Sequence, residues 1–449
     1  MNDKGAYLGF DVIIGNPPYI RHEEIKEIKP YLKTKYSAFS SMADLLTYFI
    51  ELGFNVLNTN GIFQYIISNK FARANYGKDL RRFLINNTVL THYVDFSGLS
   101  VFDEAAVDAA ILGYQKSKSE DNIFTYVDIQ KAEFEINNFD VYLKRIRQNY
   151  KQNILTENSW AFESTEILQI KTKIENKGTV LKNWDILINY GVKTGFNAAF
   201  TIDETKKNEL ITLDPKNIEL IKPLLRGRDI EKYQPNFQNI WLITTFPSLH
   251  LDISKFVGIE NHLKSFGKKR LEQTGEKGSR KKTSGKWFET QDSIGYWKEF
   301  EKPKIIYKDI STKLTFLFDK DSYYTNNTNY FITSSNSNLL YLTALLNSQL
   351  IDFYYRLIST QLGQGAVRLF TQFVEQIPII VPQKDKEQLL TSIATNIIQL
   401  KEENPKADTT QLEQEIDVLV YQLYGLTYEE VLIVDPTFHL SKETYEALS

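Results

Sequence analysis

The sequence predicts an α/β domain at its N-terminal end, then an α+β domain, then a helical hairpin. Three observations carry this. Up to about residue 130, short β-branched and aromatic runs alternate with stretches whose apolar residues recur every three to four positions. That alternation is the signature of strands and helices in a mostly parallel sheet. From about residue 181, short strand-like runs between glycine-containing loops replace it. Beyond residue 384, two apolar stripes of helical spacing flank Pro405. The implied organisation is residues 1–130, a connector over 131–180, a second domain over 181–383 and a tail over 384–449.

The elements follow in order. Leu8 to Gly15 (LGFDVIIG) reads as a buried strand running into a tight turn. Met42 to Leu57 places Leu45, Leu46, Phe49, Ile50 and Phe54 on one helical face. Gly61 to Ser68 (GIFQYIIS) is a strand between turn residues, Gly77 to Asn86 a short helix, and Val89–Phe96 and Val107–Tyr114 are further strands. The connector is rich in Lys, Gln and Asn, with one helix near Glu163–Asn176. In the tail, Leu389, Leu390, Ile393, Ile397 and Leu400 make one stripe. Leu412, Ile416, Leu419, Val420 and Leu423 make the other, the pattern of an antiparallel pair packing on its own stripe.

The most informative feature is Asn16-Pro17-Pro18-Tyr19, directly behind the first strand. Two adjacent prolines fix two φ angles near −65° and remove two backbone donors. The residue before each is pushed out of the helical region. The result is a stiff extended loop with an Asn side-chain carbonyl, main-chain carbonyls and a flat ring close together. That set suits holding a planar NH2 group by its hydrogens while a ring stacks on the attached aromatic system. The plainer reading is a Pro-Pro turn with Asn as turn former.

Composition bounds the rest. The chain has 449 residues, enough for two or three domains, and no cysteine. Disulfides, thiolate zinc sites and cysteine nucleophiles are excluded. Five scattered histidines make no metal site, and none is expected. No apolar run is long enough to span a membrane and the first residues do not form a signal peptide, so a cytoplasmic location is expected. The net charge of −3 does not advertise nucleic-acid binding, but the charge is unevenly spread and local fields govern association.

The strand plus Asn-Pro-Pro-Tyr resembles motif IV of the amino-group methyltransferases that use S-adenosylmethionine. Met42-Ala43-Asp44-Leu45 resembles the element after it, and Gly61–Ile67 with Ser68-Asn69-Lys70-Phe71 resembles motif VI. Val101-Phe102-Asp103-Glu104-Ala105-Ala106-Val107-Asp108-Ala109-Ala110 resembles motif VIII. The resemblance implies part of a Rossmann-like, S-adenosylmethionine-dependent methyltransferase domain. It implies the side chain of Asn16 and the carbonyl of Pro17 as acceptors for adenine N6, within a catalytic loop of Asn16, Pro17, Pro18 and Tyr19. Tyr19 would stack on the extruded base, with Phe102 opposite. Phe102 also reads as an ordinary core aromatic. The motif alone leaves RNA and protein-glutamine substrates open.

A glycine-rich turn after a strand, and an acidic residue after the next strand, would hold such a cofactor. Neither is visible: Gly5 and Gly9 do not form the turn, and Gly363 and Gly365 come late and follow a helix. Asp11, Glu24 and Lys26 have nuclease-like spacing, but the Pro-Pro loop divides them. The expectation is a chain bearing the target-base half of a methyltransferase. A further region or partner chain would carry the cofactor half, with or without a nuclease domain.

The second domain opens with Gly191-Val192-Lys193-Thr194-Gly195-Phe196-Asn197. It continues through Ile221–Ile230, with Arg226 and Arg228 astride a glycine, then Lys302–Tyr307 and Gly365–Phe370, which includes Arg368. Together these resemble the target-recognition domain of TaqI-like and type IIG restriction-modification enzymes. Residue chemistry agrees. Nine cations (Lys264, Lys268, Lys269, Arg270, Lys277, Arg280, Lys281, Lys282 and Lys286) face only Glu272 and Glu276 in a glycine- and serine-rich segment. Such a segment, expected to be flexible, can track phosphates, although it also reads as a solvated loop. Lys193 and Thr194 are further candidate phosphate donors. Arg226, Arg228 and Arg368 could reach phosphates or base edges, and Arg226 and Arg228 also read as surface arginines at a helix end. Residues 401–449 hold eleven acidic and three basic residues, so the tail is expected to face away from DNA.

The resulting expectation is a site-specific DNA adenine-N6 methyltransferase fragment, inactive alone, with double-stranded DNA in a basic cleft between its domains. The alternative is a catalytically silent DNA-binding specificity subunit that needs a partner chain.

Overall fold

The computed structural model describes residues 8–96, 101–102, 108–129, 139–157, 160, 162, 165–359, 365–381 and 383–448. The chain divides into two compact units, one built mainly from residues up to Ser164 and the other mainly from Thr165 onward.

In the first unit, β1 (Phe10–Gly15), β2 (Leu57–Ser68), β3 (Val89–Asp95), β4 (Ala109–Gln115), β5 (Ile123–Asp128) and β6 (Gln148–Lys151) form one sheet in the order β1-β2-β4-β3-β5-β6. β1–β2 and β3–β5 are parallel, and the other three pairings are antiparallel. The mostly parallel sheet expected from alternation is therefore a mixed one. β4 inserts antiparallel between β2 and β3, and a strand's apolar pattern carries no direction. β6 also draws part of the expected connector into the sheet.

Helices α1 (Leu45–Val56) and α2 (Lys78–Asn87) supply Leu46, Ile50, Leu80, Phe83 and Leu84 to a core shared with Phe63, Ile67, Leu112 and Tyr114. Phe63 stacks on Tyr114 with ring centroids 4.3 Å apart, and the Tyr114 hydroxyl donates to Ile50 O at 2.8 Å. α3 (Phe139–Ile146) contributes Tyr142, Leu143 and Ile146 to a smaller cluster with Val94 and Val127.

β1 departs from its expected burial. It is an edge strand: Ile13 packs toward the core, but Val12 and Ile14 are 51% and 75% exposed. Full burial of a strand needs neighbours on both sides and cover on both faces. Among the described residues, β1 has β2 on one side only.

The second unit begins with α4 (Thr165–Lys177), matching the helix expected near residues 163–176. The strands of its larger sheets are β7 (Leu187–Tyr190), β8 (Thr201–Asp203), β9 (Ile221–Leu225), β10 (Ile240–Ile243), β11 (Lys304–Lys308), β12 (Phe316–Asp319), β13 (Tyr324–Thr325) and β14 (Asn329–Thr333). They form two four-stranded sheets, β13-β9-β10-β8 and β12-β11-β14-β7. Leu224, Leu242, Ile306, Leu317 and Phe331 belong to one core. Within it, Phe300 stacks on Tyr324 at 4.6 Å and lies 4.4 Å from Phe331.

Next come α5 (Val257–Ser265), α6 (Lys268–Leu271), α7 (Leu339–Leu346), α8 (Gln349–Ile358), α9 (Lys384–Glu403) and α10 (Thr410–Tyr424). α9 contacts both α7 and α10, so its buried face, Leu390, Ile393 and Ile397, is shared with the domain. No described helix is long and apolar enough to cross a membrane.

Candidate functional site

The acceptor loop leaves the C-terminal end of β1. Gly15 is required there, because a Cβ would come within 2.9 Å of the Tyr65 ring. Asn16 is exposed, Pro17 buried, Pro18 exposed and Tyr19 half-buried. The Tyr19 hydroxyl donates to Ile66 O on β2 at 3.3 Å, and burial raises its pKa, which keeps the phenol neutral. Phe102 lies edge-on to Tyr19, with centroids 5.9 Å apart and planes at 62°. The two aromatics singled out from sequence are thus brought together across 83 residues. Of the motif VIII match, residues 103–107 lie outside the described residues.

The chain beyond Tyr19 is pinned to the start of α1. Ile20 O accepts from Leu45 N at 3.0 Å, and Asp44 Oδ1 accepts from His22 N at 3.0 Å. Ile20 also packs on Ile25, Leu32, Ala43 and Tyr48. The loop is therefore held at both ends, while the Asn16 side chain has no partner among the described residues. Asp11 accepts from Asn58 and stands away from Glu24 in its bonding, so nothing supports a nuclease role for the Asp11, Glu24 and Lys26 spacing. Among the described residues no cluster of His, Cys, Asp or Glu could hold a metal ion.

In the second unit, the glycine-bounded loop and the basic segment meet. Asp292 N donates to Lys193 O at 3.3 Å, and the Arg270 guanidinium sits 4.1 Å over the Phe196 ring. Gly195 has φ +77°, and a Cβ there would meet Gln291 and Arg280, so only glycine fits the turn. Lys193, Lys268, Lys269, Lys281 and Lys282 are exposed. Lys268 also lies 5.9 Å over Trp287.

Two assignments made from sequence are corrected. Thr194 is buried; its hydroxyl donates to Asn197 Oδ1 at 2.6 Å and accepts from Phe196 N, so it shapes the turn and offers nothing outward. Arg280 is 2% exposed and donates to Leu271 O, Thr194 O and Trp287 O. It is an internal tie, not a phosphate contact. The segment is also less loose than its glycines and serines suggest. Gln273, missed in the sequence, donates to Lys286 O and Glu289 O and accepts from Thr283, folding the segment back on itself. The available signal was one neutral amide amid charges.

Arg226 forks onto buried Asp229, with Nε–Oδ2 2.7 Å and Nη2–Oδ1 2.9 Å. It also lines a cavity of about 300 Å³ with Thr194, Asn197 and Asn326. Arg228 is exposed. Arg368 pairs with Asp309 at 3.0 Å and lies 4.7 Å from the Phe370 ring.

Comparison with known proteins adds the following. Residues 2–102 match the Eco57I restriction-modification methylase family, and residues 222–379 match the TaqI-like C-terminal specificity domain. The type II methyltransferase M.BstVI of Geobacillus stearothermophilus is 24% identical over 96% of this chain and 76% of its own length. The type II methyltransferase M.PaeR7I of Pseudomonas aeruginosa is 22% identical over 94% of this chain and 71% of its own. Among solved structures, the type IIL restriction-modification enzyme MmeI, determined in complex with DNA, superposes with a TM-score of 0.63 at 16% identity. The match covers 97% of this chain and 57% of that longer one.

Proposed function

We propose that this restriction-modification methylase, an Eco57I-type methylase region joined to a TaqI-like specificity domain, acts in site-specific methylation of adenine N6 in double-stranded DNA. The carrying observation is the rigid Asn16–Tyr19 loop, open at Asn16 and facing Phe102 through Tyr19. Adenine N6 is a poor nucleophile because its lone pair is delocalised into the ring. Asn16 Oδ1 and the Pro17 carbonyl would accept its two hydrogens and favour the pyramidal nitrogen, a preorganised electrostatic effect. Tyr19 and Phe102 would flank the extruded base, since its reacting atom is out of reach inside a duplex.

The residues of this chain fit the acceptor side of the reaction and not the donor side. Among the described residues beside Asn16, β1 offers the exposed apolar side chains of Val12 and Ile14, and its one carboxylate, Asp11, is bonded by Asn58. S-adenosylmethionine, the methyl source in this reading, would be held mainly by a further region or a partner chain. This same feature favours the second reading, a DNA-binding specificity subunit silent without its partner.

In the second unit, Lys193, Lys268, Lys269, Arg270, Lys281 and Lys282 would contact phosphates. Arg226, Arg228 and Arg368 are the candidates for base edges. The DNA-bound state of MmeI and the type II methyltransferase relatives support DNA as the partner.

The test is expression of the gene in its native context in a host free of adenine methylation, with sequencing for modified bases. N6-methyladenine at one recurrent sequence, lost in Asn16→Ala, is expected. Methylation of no base while duplex binding persists would replace this reading with the specificity-subunit one, and methylation of cytosine alone would overturn the adenine assignment.

A further inference from the structure

Arg280 sits in the middle of the most basic stretch of the chain, yet it is withdrawn from the surface. Its three donating nitrogens reach three separate places: Nε to Leu271 O at the end of α6 (2.8 Å), Nη1 to Thr194 O in the glycine-bounded loop (2.8 Å) and Nη2 to Trp287 O past the basic segment (2.9 Å). Its own backbone closes the segment further, with Arg280 N donating to Glu272 O at 2.8 Å and Gly275 N donating to Arg280 O at 3.0 Å. The guanidinium carbon lies 5.2 Å from the Phe200 ring, and the stem runs close to Gly195. Among the described residues no carboxylate bonds the guanidinium. Burial lowers its pKa to about 10, so it stays charged at neutral pH.

The carbonyls it grips belong to the segments that display the exposed cations. Thr194 follows Lys193, Leu271 follows Arg270, and Trp287 follows Lys286, while Lys281 and Lys282 come directly after Arg280 itself. We propose that Arg280 is a positioning residue for duplex binding. It fixes the spacing between Lys193 and the basic segment, so that both present their charges as one phosphate-binding face without itself touching a phosphate. This rests on the reading that the face binds DNA. A planar fork can hold three carbonyls in three directions from one rigid plane. A lysine keeps the charge as a point at the end of a flexible stem and cannot.

The experiment is Arg280→Lys in the full chain, with binding to a scrambled duplex measured across a salt series and Lys281→Ala as the comparison. Lys281→Ala should flatten the log-log salt slope by about 0.9, one phosphate contact. Arg280→Lys, with its charge conserved, should flatten it by about 1.8 or more, because contacts from both segments are misplaced. An unchanged slope in Arg280→Lys would show a direct or dispensable charge and overturn the proposal. A lowered melting temperature with an unchanged slope would do the same, since that is what a purely structural tie gives.

Hydrogen exchange on the wild-type chain covers the case where the variant does not fold. Duplex should protect residues 191–198 and 271–287 with one midpoint, and protection of only one segment would overturn the proposal. Failure of the wild-type chain to bind any duplex would instead remove the DNA-binding reading on which this rests.

Discussion

In the proposed reading the chemistry turns on Asn16, which is exposed while the loop that carries it is anchored by its neighbours. Pro17 and Pro18 stiffen the loop, Gly15 lets β1 end against Tyr65, and Leu45 anchors Ile20. Where methyl transfer is measured, Asn16→Ala should slow it by on the order of 10²-fold, about 3 kcal/mol in the barrier for one preorganised partner. Duplex binding, measured separately, should stay near the wild-type value, and unchanged turnover would refute the loop's role. The stiff loop after β1 was legible in the sequence because proline's constraint is covalent and local. Thr194 and Arg280 were not. Both look like outward donors in a glycine-flanked or lysine-rich run, and only tertiary packing turns them inward. Gln273 was invisible for the same reason: its four side-chain partners lie 10 to 17 residues on.

Among the elements, the helices were read well, since α1, α2, α4, α9 and α10 each follow a 3.6-residue stripe that needs no partner to be seen. Strand direction and edge position were not, because period-two patterns say nothing about which neighbour pairs. The basic segment makes a prediction of its own. Neutralising Lys268, Lys269 and Arg270 together should weaken binding to all duplexes alike and flatten the salt slope by roughly 0.9 per lost contact. Sequence preference, read from specific against scrambled duplexes, should survive. Asp417 on α10 makes another. It accepts from Gln349 N at the start of α8 at 2.7 Å, and burial pushes its carboxyl up to about 7, with Asp435 and Glu413 adding to the rise and Lys232 opposing it. In the unfolded chain it would titrate near 4. Its stabilising contribution is therefore fully present below about pH 4 and is lost as pH rises through about 7. Asp417→Asn keeps the acceptor without the charge. Denaturant melts should show the variant gaining on wild type between pH 5 and pH 8, and a constant difference across that range would refute the shift.

At the scale of the whole molecule, each unit has its own core, and the acceptor and basic features fall in different units. Calorimetry on this chain alone should show weak or undetectable S-adenosylmethionine binding, and micromolar affinity would place the donor site within it. Among the described residues β1 is paired with β2 alone. A strand paired on one flank only opens locally at a lower free energy than the strands inside the sheet. The Asn16–Tyr19 loop is the continuation of that strand, so its readiness is tied to how often the strand frays. Anything that lies along the free flank of β1 would stiffen the loop without touching it, and target capture would sharpen as the sheet is completed.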